Sequence, residues 1–246
     1  MNKSFEAYEE KSIPEISVVV PVFQEAETIV TVLQRLVETL ERRFQRFEIL
    51  VVADGCTDGT VQEAQKLERA EVLLFSYQPN RGKGYALKLG TSHARAPLIV
   101  FCDGDLDIHP ESIIALFEIM ELEKADVVTG SKLHINSKVE YPSYRKIQSA
   151  VFRSIIGLMF EVPVRDTQTG LKLFRKDSLL QVIDKVESNG FSFDLELLAR
   201  LAPRNTIVEG PVWLTYDFKS SVGLRVPFVM LRDAVRIYKR LRRENV

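Results

Sequence analysis

The segment VFCDGDLDIHP, Val100–Pro110, carries an apolar stretch directly into three closely spaced aspartates. The apolar residues Leu98–Phe101 predict a buried strand, and Asp103, Asp105 and Asp107 alternate along the five residues after Cys102. Like charges this close repel one another, so the pattern indicates a positively charged partner. Two carboxylates at positions i and i+2 can both reach Mg2+ or Mn2+, which prefer oxygen ligands. The alternative is that one of the later aspartates only caps the helix that follows.

Apolar runs and amphipathic helical patterns alternate before and after this segment. Strands are predicted at Ile16–Pro21, Phe47–Ala53, Glu71–Tyr77, Pro97–Cys102 and Ala125–Gly130, and helices at Ala26–Arg43, Asp58–Arg69, Lys83–Arg95 and Pro110–Glu123. The alternation predicts an α/β fold with a single mostly parallel sheet and helices on both faces. Ligands of such sheets bind at the carboxyl ends of the strands. Residues 21–25, 53–58, 77–84 and 102–107 are therefore expected to meet at one edge.

The pattern is less regular after Gly130. Loops are predicted at 131–142 and 162–170, helices at 143–160, 177–187 and 194–202, a strand at 206–216, and a basic helix from Pro227 onwards. We expect this half to cover and complete the site formed by the first half.

Composition excludes several classes of protein. The 246 residues carry a net charge of -1, which argues against nucleic-acid binding, since that requires a strongly basic face. Two cysteines make no disulfide framework, so a reducing compartment is expected. The polar N-terminal residues are unlike a secretory signal, and no apolar run reaches the roughly 18–20 residues of a membrane span. We expect a cytoplasmic protein, either soluble or lying on a surface.

The segment NRGKGYALKLG, residues 80–90, is rich in glycine and basic residues. It does not match the Walker A pattern, and no G-x-G-x-x-G follows the first strand. The N–H groups of Gly82 and Gly84, next to Arg81 and Lys83, can nevertheless face a phosphate or the edge of a nucleobase. The alternative is a turn and helix start with solvated charges.

Two further polar segments contain candidate site residues. The hydroxyl and amide groups of Asp166–Gly170 can hydrogen-bond a sugar, although composition alone favours a plain turn. Asp194 and Glu196 open a predicted helix and point to different faces, so that one can line the cleft while the other is solvated or caps the helix. The three histidines show no metal-ligand spacing, and no Ser/His/Asp set is visible.

Taken together, these motifs resemble the family 2 glycosyltransferases of the GT-A fold, in particular the polyprenyl- or dolichyl-phosphate hexosyltransferases. The matching segments are SVVVPVFQEAETI, VVADGCTDGT, NRGKGYALKLG, FCDGDLDIHPE, DTQTGLKLFRK, GFSFDLELLAR and VPFVMLRDAVRIYKRL. The resemblance implies a GT-A domain at residues 15–226, between a polar N-terminal extension (1–14) and a C-terminal amphipathic helix (227–246). It also implies an inverting transfer of a sugar from a nucleoside diphosphate sugar, aided by a divalent metal.

The resemblance also implies roles for individual residues. Nucleotide-sugar contacts are expected at Pro21, Glu25, Asp54, Asp103 and Gln168, metal ligation at Asp103, Asp105 and Asp107, and a contact with phosphate at Arg145. Asp105 is the firmest metal ligand, whereas Asp107 stands where many relatives carry Gln or another polar ligand. Ala53 replaces the usual first Asp of V-D-D-G-S, which leaves recognition of the base open.

The acceptor decides which further groups the reaction needs. Departure of a nucleoside diphosphate builds negative charge, which a metal on Asp105 and nearby cations can stabilise. A saccharide hydroxyl must lose its proton, and Asp194 is the candidate base for that step. A phosphate monoester, with a second pKa of about 6, is already largely ionised and needs cations such as Arg145 instead.

We favour transfer of a hexose to polyprenyl phosphate, from a donor of the UDP-glucose or GDP-mannose type. The motifs NRGKG and DTQTG are more similar to the glucosyl branch, which uses UDP-glucose. The alternatives are transfer to a saccharide hydroxyl in cell-surface polysaccharide assembly, or a nucleotide-sugar-binding protein without turnover. No feature of the sequence indicates an oligomeric state.

The C-terminal residues predict an amphipathic helix. Apolar residues recur at helical spacing at Phe228, Leu231, Val235 and Tyr238, and basic residues gather on another side at Arg232, Arg236, Lys239, Arg240 and Arg243. A basic amphipathic helix is typical of attachment to an anionic membrane surface, here the inner face. The alternative is a helix that docks on the domain and leaves its basic face in solvent.

Overall fold

The computed structural model describes residues 13–105, 107–139, 157, 159–190, 192–215 and 226–244. Arg145, most of the predicted N-terminal extension and most of the predicted helix at 143–160 lie outside these residues. The strands are β1 (Ile16–Val22), β2 (Phe47–Asp54), β3 (Val72–Tyr77), β4 (Leu98–Phe101), β5 (Val127–Ser131), β6 (Lys138–Val139), β7 (Lys172–Arg175), β8 (Ile207–Pro211) and β9 (Trp213–Leu214). The helices are α1 (Ile29–Glu41), α2 (Thr60–Gln65), α3 (Lys83–His93), α4 (Glu111–Glu123), α5 (Lys176–Leu180), α6 (Phe193–Leu201) and α7 (Val226–Glu244), with a 3-10 turn at Ile183–Lys185.

Seven strands form the main sheet, in the order β3-β2-β1-β4-β7-β5-β8. β7 runs antiparallel to both of its neighbours, and the other pairs are parallel. The interior strand β1 is Val-rich and almost entirely buried, as expected for a strand that helices cover on both sides. The predicted single, mostly parallel sheet is confirmed.

Helices cover both faces of this sheet, as predicted. Buried residues of α1, α2 and α4 pack with β1 and β2 in one apolar cluster, which includes Leu33, Leu36 and Leu116. Residues of α3, α5 and α6 pack against the opposite face, where Leu87 and Leu197 are fully buried. The two helical layers exclude water from the sheet and leave its strand ends as the open edge.

The second half of the chain differs in detail from the prediction. β7 was not predicted, and the helix expected at 177–187 is the short α5 followed by the 3-10 turn. The strand expected at 206–216 is interrupted at Val212, so that β8 joins the main sheet while β9 pairs with β6 in a small second sheet. The interruption lets one strand serve two sheets.

The predicted C-terminal helix is present as α7, and its docked face coincides only in part with the predicted apolar stripe. Ala234, Ile237 and Leu241 are buried in a cluster with Leu195 of α6, and Tyr238 of the predicted stripe packs against that cluster, whereas Val235 is 38% exposed. The docked face is therefore shifted away from Val235. Of the helices in the described residues, none combines the length and the apolar character needed to cross a membrane.

Candidate active site

The carboxyl ends of β1, β2 and β4 lie side by side, as the strand order predicts. Val22 of β1 is in register with Ala53 of β2, and Val19 is in register with Phe101, the last residue of β4. The segments that follow these strands carry most of the predicted site residues. Sequence-distant loops therefore meet at one edge of the sheet.

Two aspartates and two lysines form a line of alternating charges at this edge, which we call the charge chain. Lys83 Nζ lies 2.6 Å from Asp103 Oδ1 and 3.7 Å from Asp194 Oδ2. Lys172 Nζ lies 2.7 Å from Asp194 Oδ1 and donates to the carbonyl of Thr169 at 2.5 Å. The charge chain connects the end of β4, the start of α3, the start of α6 and the strand β7.

Burial and neighbouring charges set the ionisation of the charge chain. Burial alone would raise the pKa of Asp194, but Lys172 and Lys83 outweigh it and hold that pKa below its usual value. Burial would likewise lower the pKa of Lys83, but Asp103 and Asp194 outweigh it and raise that pKa above its usual value. Asp194 is therefore ionised and a weak base, and Lys83 keeps its charge.

Asp105 comes two residues after Asp103 of the charge chain, beyond the end of β4, and lies beside the carboxylates of Asp103 and Asp107. Removal of water by the surrounding chain, with repulsion from Asp103 and Asp107, raises the pKa of Asp105 to about 7. Its Oδ1 accepts a hydrogen bond from the Asp107 N–H at 3.1 Å. A divalent cation would relieve this repulsion, so the oxygen donors of Asp103 and Asp105 fit Mg2+ or Mn2+.

Within the described part of the chain, no three carboxylate, imidazole or thiol groups come together as a ready-made metal site. Ligands beyond the aspartates would have to come from water or from a substrate diphosphate, which is the usual arrangement for Mg2+. Asp107 is also held by its backbone, since its carbonyl accepts from the Thr215 N–H at 3.2 Å.

Asp54, at the end of β2, organises residues 80–84, which we call the glycine-rich loop. Its Oδ1 accepts from the Arg81 N–H at 2.6 Å, its Oδ2 accepts from the Gly82 N–H at 2.9 Å, and its carbonyl accepts from Asn80 at 2.9 Å. The Arg81 guanidinium turns onto Tyr85, to whose hydroxyl it donates at 2.8 Å. Asp54 thus holds the loop through its backbone, and its expected contact with a nucleoside stays a prediction.

The loop Asp166–Gly170 is folded around Asp166. The Asp166 carboxylate accepts from the hydroxyl of Thr169 at 2.7 Å and from the N–H groups of Lys132 at 3.1 Å and Gln168 at 3.2 Å. A Cβ atom on Gly170 would lie 1.8 Å from Asp103 Oδ2, so only glycine leaves room for that carboxylate. The loop is thus part of the site and not a distant turn, although no contact assigns Gln168 its predicted role.

The loop after β1 is tied to the loop after β2. Gln24 and Thr57 exchange two hydrogen bonds, at 2.8 and 3.1 Å, and the Glu25 N–H donates to Thr60 at 2.8 Å. The Glu25 carboxylate accepts from the hydroxyl of Thr28 at 2.7 Å. Pro21 lies in β1 itself. Both predicted residues border the edge of the sheet, and their contacts with a nucleotide stay predictions.

Sequence reasoning missed two buried charged residues. Lys172 belongs to the charge chain, and its signal was a lone lysine in the apolar run Leu171–Phe174. Of Asp194 and Glu196, one was expected to line the cleft and the other to be solvated or to cap the helix, but Glu196 is fully buried and bonds Arg200 and Arg240. The two acidic residues of α6 do point to different faces, and both faces are covered.

The model of the family described as glycosyl transferase family 2 matches residues 17–183. The chain belongs to this family. The matched region runs from β1 through β7 and contains the ends of β1, β2 and β4 together with the loop Asp166–Gly170. It ends before α6, which carries Asp194. The family resemblance predicted from the motifs is confirmed.

Curated relatives from three organisms are similar to this chain. A glycosyltransferase of Haloferax volcanii is 31% identical over 190 residues, which cover 76% of this chain and 30% of that protein. The dolichyl-phosphate beta-glucosyltransferase of Saccharomyces cerevisiae is 28% identical over 246 residues, covering 89% of this chain and 73% of that protein. The dodecaprenyl-phosphate galacturonate synthase of Rhizobium johnstonii is 30% identical over 171 residues, which cover 68% of this chain and 50% of that protein. The chain thus spans less than two thirds of two of these relatives.

Solved structures of glucosyl-3-phosphoglycerate synthase from Mycobacterium tuberculosis share the GT-A fold of this chain. The complex with Mg2+ and UDP superposes with a TM-score of 0.69 at 18% identity, covering 96% of this chain and 82% of that chain. The complex with Mn2+, UDP-glucose and phosphoglyceric acid superposes with a TM-score of 0.67 at 18% identity, covering 98% of this chain and 84% of that chain. At this level of identity the likeness concerns the fold alone.

Proposed function

We propose that this chain is an inverting, metal-dependent glycosyltransferase that moves a hexose from a nucleoside diphosphate sugar to polyprenyl phosphate. The observation that carries the proposal is the position of Asp194 between Lys83 and Lys172. These lysines hold the pKa of the carboxyl group below its usual value, so it is poorly suited to take a proton from a hydroxyl. A phosphate acceptor needs no such base, because it is already ionised at neutral pH.

Each member of the site then has a role in the displacement. The acceptor phosphate oxygen forms a bond to the anomeric carbon while the bond from that carbon to the donor diphosphate breaks on the opposite face. Asp103 and Asp105 would hold Mg2+ or Mn2+, and the ion would stabilise the negative charge of the departing diphosphate. Lys83 supplies a second positive charge at the same edge, and Asp194 orients it. Arg145, outside the described residues, is proposed to face the acceptor phosphate.

The donor is proposed to be of the UDP-glucose type in preference to GDP-mannose. The glycine-rich loop and the loop Asp166–Gly170 resemble the glucosyl branch of the family. A curated yeast relative is named a dolichyl-phosphate beta-glucosyltransferase, which agrees with that choice and with a lipid phosphate as acceptor. The buried Ala53 offers no carboxylate to the base, so recognition of the base would rely on other groups of this edge.

The proposal is tested by incubating the full chain with Mn2+ or Mg2+ and a panel of UDP- and GDP-sugars, with and without a short polyprenyl phosphate. Released nucleotide and a new glycolipid are measured. We expect UDP release from UDP-glucose that depends on both the metal and the lipid phosphate. Transfer to saccharides alone would instead favour a hydroxyl acceptor, and nucleotide binding without release would favour a protein without turnover.

A further inference from the structure

The segment Val186–Asn189 is packed against the start of α3, where the glycine-rich loop ends. The carbonyl of Asn189 accepts from the Gly84 N–H at 2.9 Å, and the carbonyl of Val186 accepts from the Lys88 ammonium group. A Cβ atom on Gly84 would lie 2.9 Å from Asn189 Cα, so the two backbones are in direct contact. The position of this segment therefore sets the position of the loop.

The other side of the same segment is held by one side chain, Glu196 of α6. Its Oε2 accepts from the Ser188 N–H at 3.0 Å and from the Ser188 hydroxyl at 2.7 Å, and its Oε1 accepts from the Glu187 N–H at 3.3 Å. The segment thus turns two carbonyl groups towards α3 and two N–H groups towards α6. The N–H groups of the segment are thus bound by one fully buried carboxylate, that of Glu196.

Two arginines compensate the buried charge of Glu196. Arg200 lies 3.0 Å and Arg240 of α7 lies 2.9 Å from its Oε1, and Arg240 also lies 3.1 Å from Glu187 on the segment. Arg200 is paired in turn with Glu244 at 2.6 Å. Buried ion pairs of this kind often add little to stability compared with apolar residues of similar volume. The more direct consequence of this ion pair is the orientation that it imposes on the segment Val186–Asn189.

We propose that Glu196 is a positioning residue that holds the glycine-rich loop in the shape that receives the nucleotide, with Arg240 of the C-terminal helix completing the clamp. The inference rests on the proposed function, because that function makes the loop a nucleotide site. Two residues earlier on α6, Asp194 holds the side chain of Lys83. One turn of α6 therefore orients both the backbone of the loop, through Asn189, and its lysine.

The test compares the full chain with Ser188→Ala, Glu196→Gln and, as a matched control, Glu244→Gln. The control removes a carboxylate from the same ion-pair network but leaves the contacts of the segment in place. Ser188→Ala removes only the hydroxyl bond, so it reports on the segment even if Glu196→Gln does not fold. The measurements are amide hydrogen exchange at residues 81–84, affinity for UDP and GDP with Mn2+, and KM and kcat for the nucleotide sugar.

We expect faster exchange at residues 81–84 in Ser188→Ala and Glu196→Gln, with wild-type exchange in Glu244→Gln. If the loop keeps its binding shape about a fifth of the time, nucleotide affinity falls about fivefold, and KM rises with little change in kcat. Wild-type exchange and unchanged nucleotide affinity in Ser188→Ala would overturn the inference. Failure of the wild-type chain to turn over any nucleotide sugar would count against the proposed function, while the exchange data would still decide the role of Glu196.

Discussion

Asp194 illustrates how burial and charge together restrict what a carboxylate can do. The sequence predicts it as a base only if the acceptor is a hydroxyl, and the structure places it between two ammonium groups, 2.7 and 3.7 Å away. A carboxylate in that position is better suited to orient the lysines than to accept a proton.

Asp194→Asn is expected to keep measurable glycosyl transfer, whereas Asp105→Ala is expected to abolish it. Asparagine keeps the shape of the side chain and one acceptor oxygen but loses the charge-assisted hydrogen bonds to the lysines. This loss is expected to lower the rate of transfer roughly tenfold to a hundredfold. Alanine at position 105 removes the principal proposed metal ligand. Transfer to polyprenyl phosphate is measured beside the exposed control Asp184→Asn. Complete loss of transfer in a folded Asp194→Asn protein would contradict the phosphate-acceptor mechanism.

Gly170→Ala is expected to damage the site because its Cβ atom would lie 1.8 Å from Asp103 Oδ2. Either the loop or Asp103 has to move, at a cost of about 1–3 kcal/mol. Urea unfolding measures the loss of stability, and Mn2+ titration measures the displacement of the carboxylate. Gly190→Ala is the control, since nothing lies within 4 Å of its Cβ position. Equal behaviour of the two variants would show that Asp103 does not need the space.

β7 makes the main sheet mixed, whereas the other strand pairs of that sheet are parallel. It runs antiparallel between β4 and β5, and it carries Lys172 from a sequence-distant part of the chain into the centre of the site. Its four residues are too few for an apolar period to identify a strand reliably. The strand exists because both neighbours offer it backbone hydrogen bonds, which the local sequence does not reveal.

Lys172→Met is expected to lower the free energy of unfolding by about 3 kcal/mol, because the buried Asp194 loses its nearer ion-pair partner and keeps Lys83 at 3.7 Å. Urea unfolding provides the measurement. The exposed Lys185→Met is the control and is expected to change stability by less than about 0.5 kcal/mol. A loss in Lys172→Met no larger than in the control would mean that the buried pair contributes nothing to the fold.

The helix α7 combines a docked apolar face with an exposed basic face. Arg232, Arg236, Lys239 and Arg243 are all exposed, and they accompany the exposed Val235. We propose that this face contacts an anionic membrane surface, where each basic residue contributes about 1 kcal/mol.

Replacing these four basic residues of α7 by Gln is therefore expected to remove most of the binding to anionic vesicles. Flotation with anionic and neutral vesicles measures it. The matched control replaces four exposed basic residues elsewhere in the described structure, namely Arg42, Lys66, Lys124 and Lys185. Unchanged flotation of the α7 variant would assign the helix to docking alone.

Three buried acidic groups in different parts of the described structure are stabilised in their ionised form. The pKa values of Asp166, Asp194 and Glu196 lie below their usual values, because basic groups and hydrogen-bond donors outweigh the effect of burial. A group whose pKa is lower in the folded chain takes up its proton first in the unfolded chain. Its contribution to stability is complete above its unfolded pKa and is lost as the pH falls through the folded value.

The contribution of these three groups is therefore expected to be constant near neutral pH and to fall as the pH drops below about 4.5, the ordinary value for Glu196. Asp105 acts in the opposite direction, because its pKa is raised to about 7, so its contribution to stability grows as the pH falls from about 7 towards 3.8. Urea unfolding between pH 7 and about pH 3 measures the free energy. Glu196→Gln is expected to be less stable at pH 7 and to lose less between pH 5 and pH 3. A pH dependence identical to that of the wild type would show that Glu196 does not contribute to it.

The parallel strands β1 to β5 and the meeting of their ends could be predicted because their signals are local. The apolar run Leu98–Phe101 and the aspartates after it lie within a few residues of one another, and the order of elements implies a common edge. The family motifs follow the same segments, which is why the family was also predictable. The roles of individual site residues depend on a nucleotide and a metal, and they remain predictions.

Local sequence patterns do not predict which residue pairs with a buried charged side chain. Glu196 and Arg240 are 44 positions apart, and neither residue type nor spacing indicates that one neutralises the other. The same holds for Lys172 and Asp194, and for the displaced docking face of α7. The sequence of this protein determines its strands, helices and open edge, because periodicity and turn chemistry act within short segments. Only the tertiary structure decides which buried charges meet, because that depends on how distant elements pack and exclude water.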